Sequence, residues 1–220
     1  MRMRKKKHLE ERLALCENLT VMEINDRNEL AEVDNNYLDF STLFGNDNPI
    51  FLEIGCGKGG FCREAALRNP DINFLAVEKA ANVMVTACEQ GEGVANLKFL
   101  LGGAEYLPRF IKDNSISRIY LNFSCPFPKN KYAAHRLTAA RYLNIYKRIL
   151  KPGAEIHQKT DNQHFFEFSL EQLSQNGFAL KNVSLDLHNS GFEGNIETEY
   201  EKLFSSMGKP IYRLEAYVKE

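Results

Sequence analysis

The sequence predicts an α/β fold: a mostly parallel sheet with helices on both faces and an antiparallel strand pair at the C-terminal end. Three observations lead there. From residue 50 on, short apolar runs alternate with amphipathic segments, the pattern of β-α-β units in a doubly wound sheet. A glycine-rich turn separates the first apolar run from the first helical segment. The end of the chain carries two more strand candidates, 179–187 and 211–218, which pair as antiparallel neighbours at a sheet edge.

Taken in order, residues 8–48 are polar and without clear period, an N-terminal arm with short helical pieces. Strands are predicted at Ile50–Ile54, Asn73–Val77, Leu97–Leu101, Ser117–Leu121 and Ala154–His157, with helices near 60–68, 81–90, 138–150 and 162–176. Within 138–150, Tyr142, Ile145, Tyr146 and Ile149 fall at helical spacing, which reads the two tyrosines as core, and Lys151-Pro152-Gly153 stops the helix. At 220 residues with a 44% hydrophobic fraction, the expectation is one domain over 1–220: an arm at 1–48 and a core at 49–220.

Composition excludes several classes. No run of about 18 apolar residues offers a membrane span, and the basic start lacks the apolar stretch of a secretory signal. Five cysteines with no CxxC spacing argue against a disulfide framework or structural zinc, so the expected setting is a reducing cytoplasm. Net charge is -1, but charge is unevenly placed. Residues 1–7 hold five basic groups and no acid; 118–154 hold eight (Arg118, Lys129, Lys131, Arg136, Arg141, Lys147, Arg148, Lys151) and again no acid. That stretch suggests a positive surface facing phosphate, weighed against a solvated helix face paired with acids elsewhere.

The strongest local motif is Glu53-Ile54-Gly55-Cys56-Gly57-Lys58-Gly59-Gly60, in which an apolar strand enters a glycine turn that opens a helix. Glycines permit a tight turn and close approach of a ligand. The next strand ends at Glu78, placed to accept both hydroxyls of a ribose. Gly55, Gly57 and Gly60 also satisfy GxGxxG, so a nicotinamide enzyme is a competing reading. Glu53 weighs against it, because a carboxylate ahead of the turn repels a pyrophosphate and suits a cation. The Glu-x-Gly-x-Gly-x-Gly pattern resembles the first motif of Rossmann-like methyltransferases, whose S-adenosyl-L-methionine carries an ammonium, a sulfonium and no phosphate.

The segment Asn122-Phe123-Ser124-Cys125-Pro126-Phe127-Pro128-Lys129 follows strand 117–121, beyond the strand ends where open sheets bind ligands. It is similar to the NFSDPWPK signature of bacterial single-chain tRNA (guanine-N7)-methyltransferases. Further matches run along nearly the whole chain, among them Phe44–Pro49, Asn69–Asn73, Arg136–Thr138, Lys159–Asn162, Ser184–Ser190, Glu193–Ile196, Thr198–Glu201 and Pro210–Arg213. The resemblance implies an enzyme that moves the methyl of S-adenosyl-L-methionine to N7 of a guanine in the tRNA variable loop. It implies cofactor contacts at Glu53, Gly55, Gly57, Gly59, Glu78, Gly103 and Cys125, with Cys125 also at the catalytic position. It implies substrate contacts at Lys129, Asp161, Thr198, Glu199, Tyr200 and Glu201, and tRNA contact by the basic N-terminal arm; the chain is further expected to be a monomer or homodimer with no metal and no membrane. Two departures from the family matter: Cys125 stands where the family has Asp, and Gly103 where it usually has an Asp on the adenine side of the cofactor. Those departures raise a rival reading, a degenerate paralogue that binds tRNA or S-adenosyl-L-methionine with little turnover. His157 is expected to pack on its strand, His135 to meet phosphate, and His188 to have no acid–base duty.

Overall fold

The computed structural model describes residues 5–24 and 36–219, which form two compact units divided after Lys112. In the first unit the elements are α1 (Leu9–Ala14), β1 (Leu19–Val21), α2 (Phe40–Phe44), β2 (Ile50–Ile54), α3 (Gly60–Arg68), β3 (Asn73–Glu78), α4 (Ala81–Gln90), β4 (Leu97–Leu101) and α5 (Leu107–Phe110). Its strands lie in the order β1-β4-β3-β2, and every neighbouring pair is parallel. Strands buried on both faces read as continuous apolar runs, and Leu52, Leu75, Ala76, Leu97, Phe99 and Leu100 are fully buried. Register sets the ends level: Ile54 lies opposite Val77, and Glu78 opposite Leu101. The glycine turn and Glu78 therefore leave the sheet on the same side.

Strand β1 was not anticipated, since its residues fall within the predicted arm. Three residues are too short to show a period, and the strand exists because β4 offers it an edge: the Phe99 N–H donates to Asn18 O at 2.8 Å and Met22 N–H to Leu101 O at 3.0 Å. The helical pieces expected in the arm are α1 and α2. Asp39 caps α2, its carboxylate accepting from the N–H groups of Ser41 and Thr42.

The second unit holds β5 (Ile116–Asn122), α6 (Ala140–Ile149), β6 (Leu150–Thr160), α7 (Gln163–Gln175), β7 (Phe178–Ser184), α8 (Glu199–Ser206) and β8 (Tyr212–Val218). β5 and β6 run parallel, while β8 is antiparallel to both β6 and β7. Tyr142 and Tyr146 are buried in the apolar face of α6 with Leu143, Ile145 and Ile149. Each such side chain contributes about 1.5–3 kcal/mol when fully buried. Lys151-Pro152-Gly153 does end α6, but the three residues belong to β6, which begins at Leu150 rather than Ala154. Pro152 has no N–H for the ladder and Gly153 sits at φ +72°, so the pairing skips: Ile116 lies opposite Leu150, then Arg118 opposite Glu155.

Candidate active site

In the first unit, β2 delivers Glu53, which is 3% exposed, and then the turn. The N–H groups of Gly55 and Cys56 both donate to Val77 O, at 2.8 and 3.0 Å, which ties the turn to the end of β3. Gly57 takes φ +59°, and a Cβ there would meet nothing within 4 Å, so its face is open. Gly59 is different: at φ +81° its Cβ would lie 3.0 Å from that of Ala87, so glycine is needed to pack the turn on α4. Glu78 is the hub. Its Oε2 accepts from Gly57 N–H at 3.3 Å and its Oε1 from Ala80 N–H at 2.9 Å, while its carbonyl accepts from Gly102 N–H at 3.0 Å. Two backbone donors thus fix a carboxylate beside the open turn. Burial pushes the Cys62 thiol well above its usual range, which leaves it a packing group under the turn.

Gly103 follows β4 in ordinary extended geometry, φ -86°. The space of its missing side chain is not empty. A Cβ at 103 would lie 2.6 Å from the carboxyl carbon of Glu105 and 2.6 and 2.8 Å from its oxygens. The Glu105 carboxylate therefore occupies the place where a side chain at 103 would begin, beyond the end of β4. Sequence reasoning missed Glu105, because nothing in Gly102-Gly103-Ala104-Glu105 indicates that the acid folds back.

In the second unit, β5 runs into Phe123, held at φ +49°, then buried Ser124 and exposed Cys125. Phe127 is also left-handed at φ +41°. Arg136 staples this loop: its guanidinium donates to Pro126 O at 2.9 Å and Phe127 O at 3.1 Å and lies 4.4 Å over the Phe168 ring. Lys129 and Lys131 stand exposed. The acid-free stretch is thus divided. Arg136 is buried inward, Arg148 pairs with Asp113, Arg118 lies 3.6 Å from Glu155, and Arg141 and Lys147 rest on the rings of Tyr142 and Phe178. His135 lies among rings, 5.7 Å from Phe127 and 6.1 Å from Tyr132. Of the N-terminal basic groups, Lys5 pairs with Glu10 and Lys6 with Thr86, while residues 1–4 lie outside the described ones.

The Thr198–Glu201 element starts a helix that the sequence reading did not include. Thr198 is the N-cap of α8, its Oγ1 accepting from Glu201 N–H at 2.9 Å, the first half of a capping box. Glu201 does not turn back to complete it. Its side chain is fully buried, and the Lys159 ammonium donates to it at 2.6 Å. That ammonium also donates to Asn195 Oδ1 at 3.0 Å and Ile196 O at 2.8 Å, and His188 Nε2 lies 3.2 Å from Glu201. Buried charge is tolerated when paired and hydrogen-bonded, and this cluster meets both conditions. It locks α8 to the end of β6. Glu199 and Tyr200 are exposed on the same helix, and Asp161, just after β6, sits 3.3 Å from Lys209. Lys159, Asn195 and His188 were visible in family-like blocks, but no local pattern gives them this role.

One further cluster holds groups of metal-ligand type among the described residues: Glu155, His157 and Glu215 bring one ligand atom each within 4.8 Å of the others. The carboxylates are already engaged, Glu155 by Lys181 and by His157 at 2.7 Å, Glu215 by Arg213 and by Asn182 at 2.7 Å.

Parallel strands, a strand–glycine turn–helix, and a backbone-held acid at the next strand end define a Rossmann-like methyltransferase. A family model described as "Putative methyltransferase" matches residues 47–214. The solved 16S rRNA methyltransferase KamB has the same fold, with a TM-score of 0.61 at 17% identity over 84% of this chain and 95% of that one. The tRNA (guanine-N(7)-)-methyltransferase of Geobacillus kaustophilus is 50% identical over 176 residues, 79% of this chain and 81% of the relative. That of Streptococcus thermophilus is 42% identical over the full length of both. The chain belongs to the tRNA (guanine-N(7)-)-methyltransferase family.

Proposed function

We propose that the protein transfers the methyl group of S-adenosyl-L-methionine to N7 of a guanine in the variable loop of tRNA. Family membership supports the reaction, and the Glu78 carboxylate, held by the N–H groups of Gly57 and Ala80, is the observation that carries the cofactor half. The residues fit the group. Acids at Glu53 and Glu78 beside an open glycine face suit a cationic ligand without phosphate, and disfavour a dinucleotide. Glu78 would accept the ribose hydroxyls. Glu105, filling the space left by Gly103 beyond the end of β4, would accept from the adenine amino group.

Guanine N7 is a lone pair on the neutral base, so no proton has to leave before it attacks. The sulfonium supplies the methyl, and the C–S bonding pair stays on sulfur as a neutral thioether. The protein's task is alignment, together with stabilising the positive charge that appears on the purine. Cys125 stands where a carboxylate would do the second part, which makes the chain a slower enzyme. Asp161, Lys129, Glu199 and Tyr200 bind the RNA; Thr198 and Glu201 act by holding α8. Exposed Lys129 and Lys131 and the basic start attract phosphate, and tRNA as the substrate supports a cytoplasmic enzyme. No described helix is long and apolar enough to cross a membrane. A binding protein without turnover is the rival reading; the full-length match at 42% identity favours the active enzyme. The test is tRNA from bacteria deleted for their own guanine-N7 enzyme. After treatment with the protein and S-adenosyl-L-methionine, borohydride and aniline should cut it at one variable-loop guanine. Intact tRNA would contradict the reading.

A further inference from the structure

Three aromatic rings gather where the loop after β5 meets α8. The centroids of Phe123 and Tyr200 are 6.4 Å apart with planes at 26°, those of Phe123 and Phe204 6.1 Å at 27°, and those of Tyr200 and Phe204 6.2 Å at 19°. All three rings are thus nearly parallel. With centroids more than 6 Å apart the rings overlap little, so they make an aromatic floor rather than a tight sandwich, and Tyr200 is its solvent-exposed member.

The floor is exposed at Tyr200, half-buried at Phe123 and Phe204, and fixed. Tyr200 is 57% exposed, and Leu203 and Met207 on the same side of α8 are 46% and 61% exposed. An apolar side of a helix left in water marks a binding surface more often than a core. Phe123 holds a left-handed backbone, φ +49°, which an aromatic residue adopts only when its surroundings impose it. The imposing group is β6: Phe123 N–H donates to Lys159 O at 2.8 Å. The side chain of the same Lys159 holds Glu201 and so fixes α8, which carries Tyr200 and Phe204. One residue therefore sets both halves of the floor.

We propose that Phe123, Tyr200 and Phe204 form a stacking floor for a purine base. On the proposed function, on which this inference rests, the base is the target guanine. Three features favour a nucleobase over a second copy of the chain. Nearly parallel rings suit a flat ligand. Lys209 lies over the Phe204 end of this rim, its ammonium 4.6 Å from the ring centroid and 3.3 Å from Asp161. Such a rim offers a cation for phosphate and a carboxylate for the N1–H and 2-amino donors of guanine, an edge opposite N7. The floor also lies two residues before Cys125, in the loop already assigned to the reaction.

The experiment uses tRNA in which the target guanine is replaced by 2-aminopurine, whose fluorescence is quenched by stacking. Binding to the wild-type protein should quench it, Tyr200→Phe should keep the quench, and Tyr200→Ala and Phe204→Leu should lose most of it. With natural tRNA, Tyr200→Ala should lower kcat/KM about tenfold or more, the scale of one lost base stack, while the Kd for S-adenosylhomocysteine stays unchanged. Undiminished quench and kcat/KM in both variants would overturn the proposal. So would a concentration-dependent dimer that Tyr200→Ala abolishes while methylation is untouched. Wild-type protein that binds and quenches but methylates no tRNA would overturn the proposed function and leave the floor supported.

Discussion

Replacing Gly103 with alanine adds one methyl group at a point 2.6 Å from the carboxyl carbon of Glu105. Carbon atoms normally rest about 3.5–4.0 Å apart, so the carboxylate has to retreat by roughly 1 Å or more. The fold should not suffer. Gly103 has φ -86° and ψ 145°, which alanine adopts freely, and Glu105 is a half-exposed, flexible side chain. What changes is the acceptor proposed for the adenine amino group. A hydrogen bond to a charged group is worth about 1.5–3 kcal/mol, and half-exposure puts this one at the lower end, about tenfold in Kd. Calorimetric titration with S-adenosylhomocysteine reads it directly. Gly103→Ala and Glu105→Ala should each weaken binding about tenfold. The double variant should be no weaker than either single, because both remove the same contact. The inosine counterpart of the ligand, which lacks the amino group, should bind wild type and variants alike. Unchanged affinity in both single variants would refute the reasoning, and would mean that Glu105 fills space without touching the ligand. By the same geometry, Gly103→Asp alone crowds two carboxylates and should not improve binding.

Other predictions concern stability and turnover. Lys159→Met removes the ammonium that neutralises buried Glu201, which should cost about 3–5 kcal/mol and lower Tm by about 6–20 °C; Lys159→Met with Glu201→Leu should recover most of it. A single variant as stable as wild type in thermal unfolding would contradict the locking role. Burial would raise the Glu155 carboxyl, but hydrogen bonds from His157 and Lys181 outweigh it and hold the group at about 2. Its folded value lies below the ordinary 4.5, so its stabilising effect is complete above that pH and is lost as pH falls from 4.5 toward 2. Burial also depresses His157 below 6.5, so stability begins to decline earlier, as pH falls through 6.5 and the unfolded chain takes up the proton first. Urea midpoints across pH 2–7 should fall this way, with the step below 4.5 reduced in Glu155→Gln; a flat profile would refute the assignment. Cys125→Asp should raise single-turnover methylation about tenfold, with tRNA affinity little changed. Wild type that matches or outpaces the variant would show that the thiol suffices.

Much of the fold is legible in the chain because its central strands are fully buried. Ile50–Ile54, Asn73–Glu78 and Leu97–Leu101 stand out as apolar runs between polar or glycine-rich breaks, within one residue of their observed bounds. β1 does not, because three residues carry no period and the strand depends on the edge of β4. Helix α8 escaped because its start was read only through the family element, although Thr198-x-x-Glu201 is also a local capping signal. In the site, Glu53, the glycines and Glu78 follow from spacing along consecutive elements. Glu105 and Lys159 do not. Glu105 reaches a neighbour's empty side-chain space, and Lys159 meets a partner 42 residues away. Charge counting also has a blind spot at Arg136, which looks like a surface cation until its partners prove to be the carbonyl oxygens of Pro126 and Phe127.

The central claim is tested most directly by one single-turnover reaction, in which excess protein is mixed with unmodified tRNA and methyl-labelled S-adenosyl-L-methionine and the tRNA is then digested to nucleosides. The account predicts up to one label per tRNA, all of it in 7-methylguanosine and none in tRNA whose variable-loop guanine has been replaced by adenine. Label in another nucleoside, or none in tRNA that the protein demonstrably binds, would contradict it.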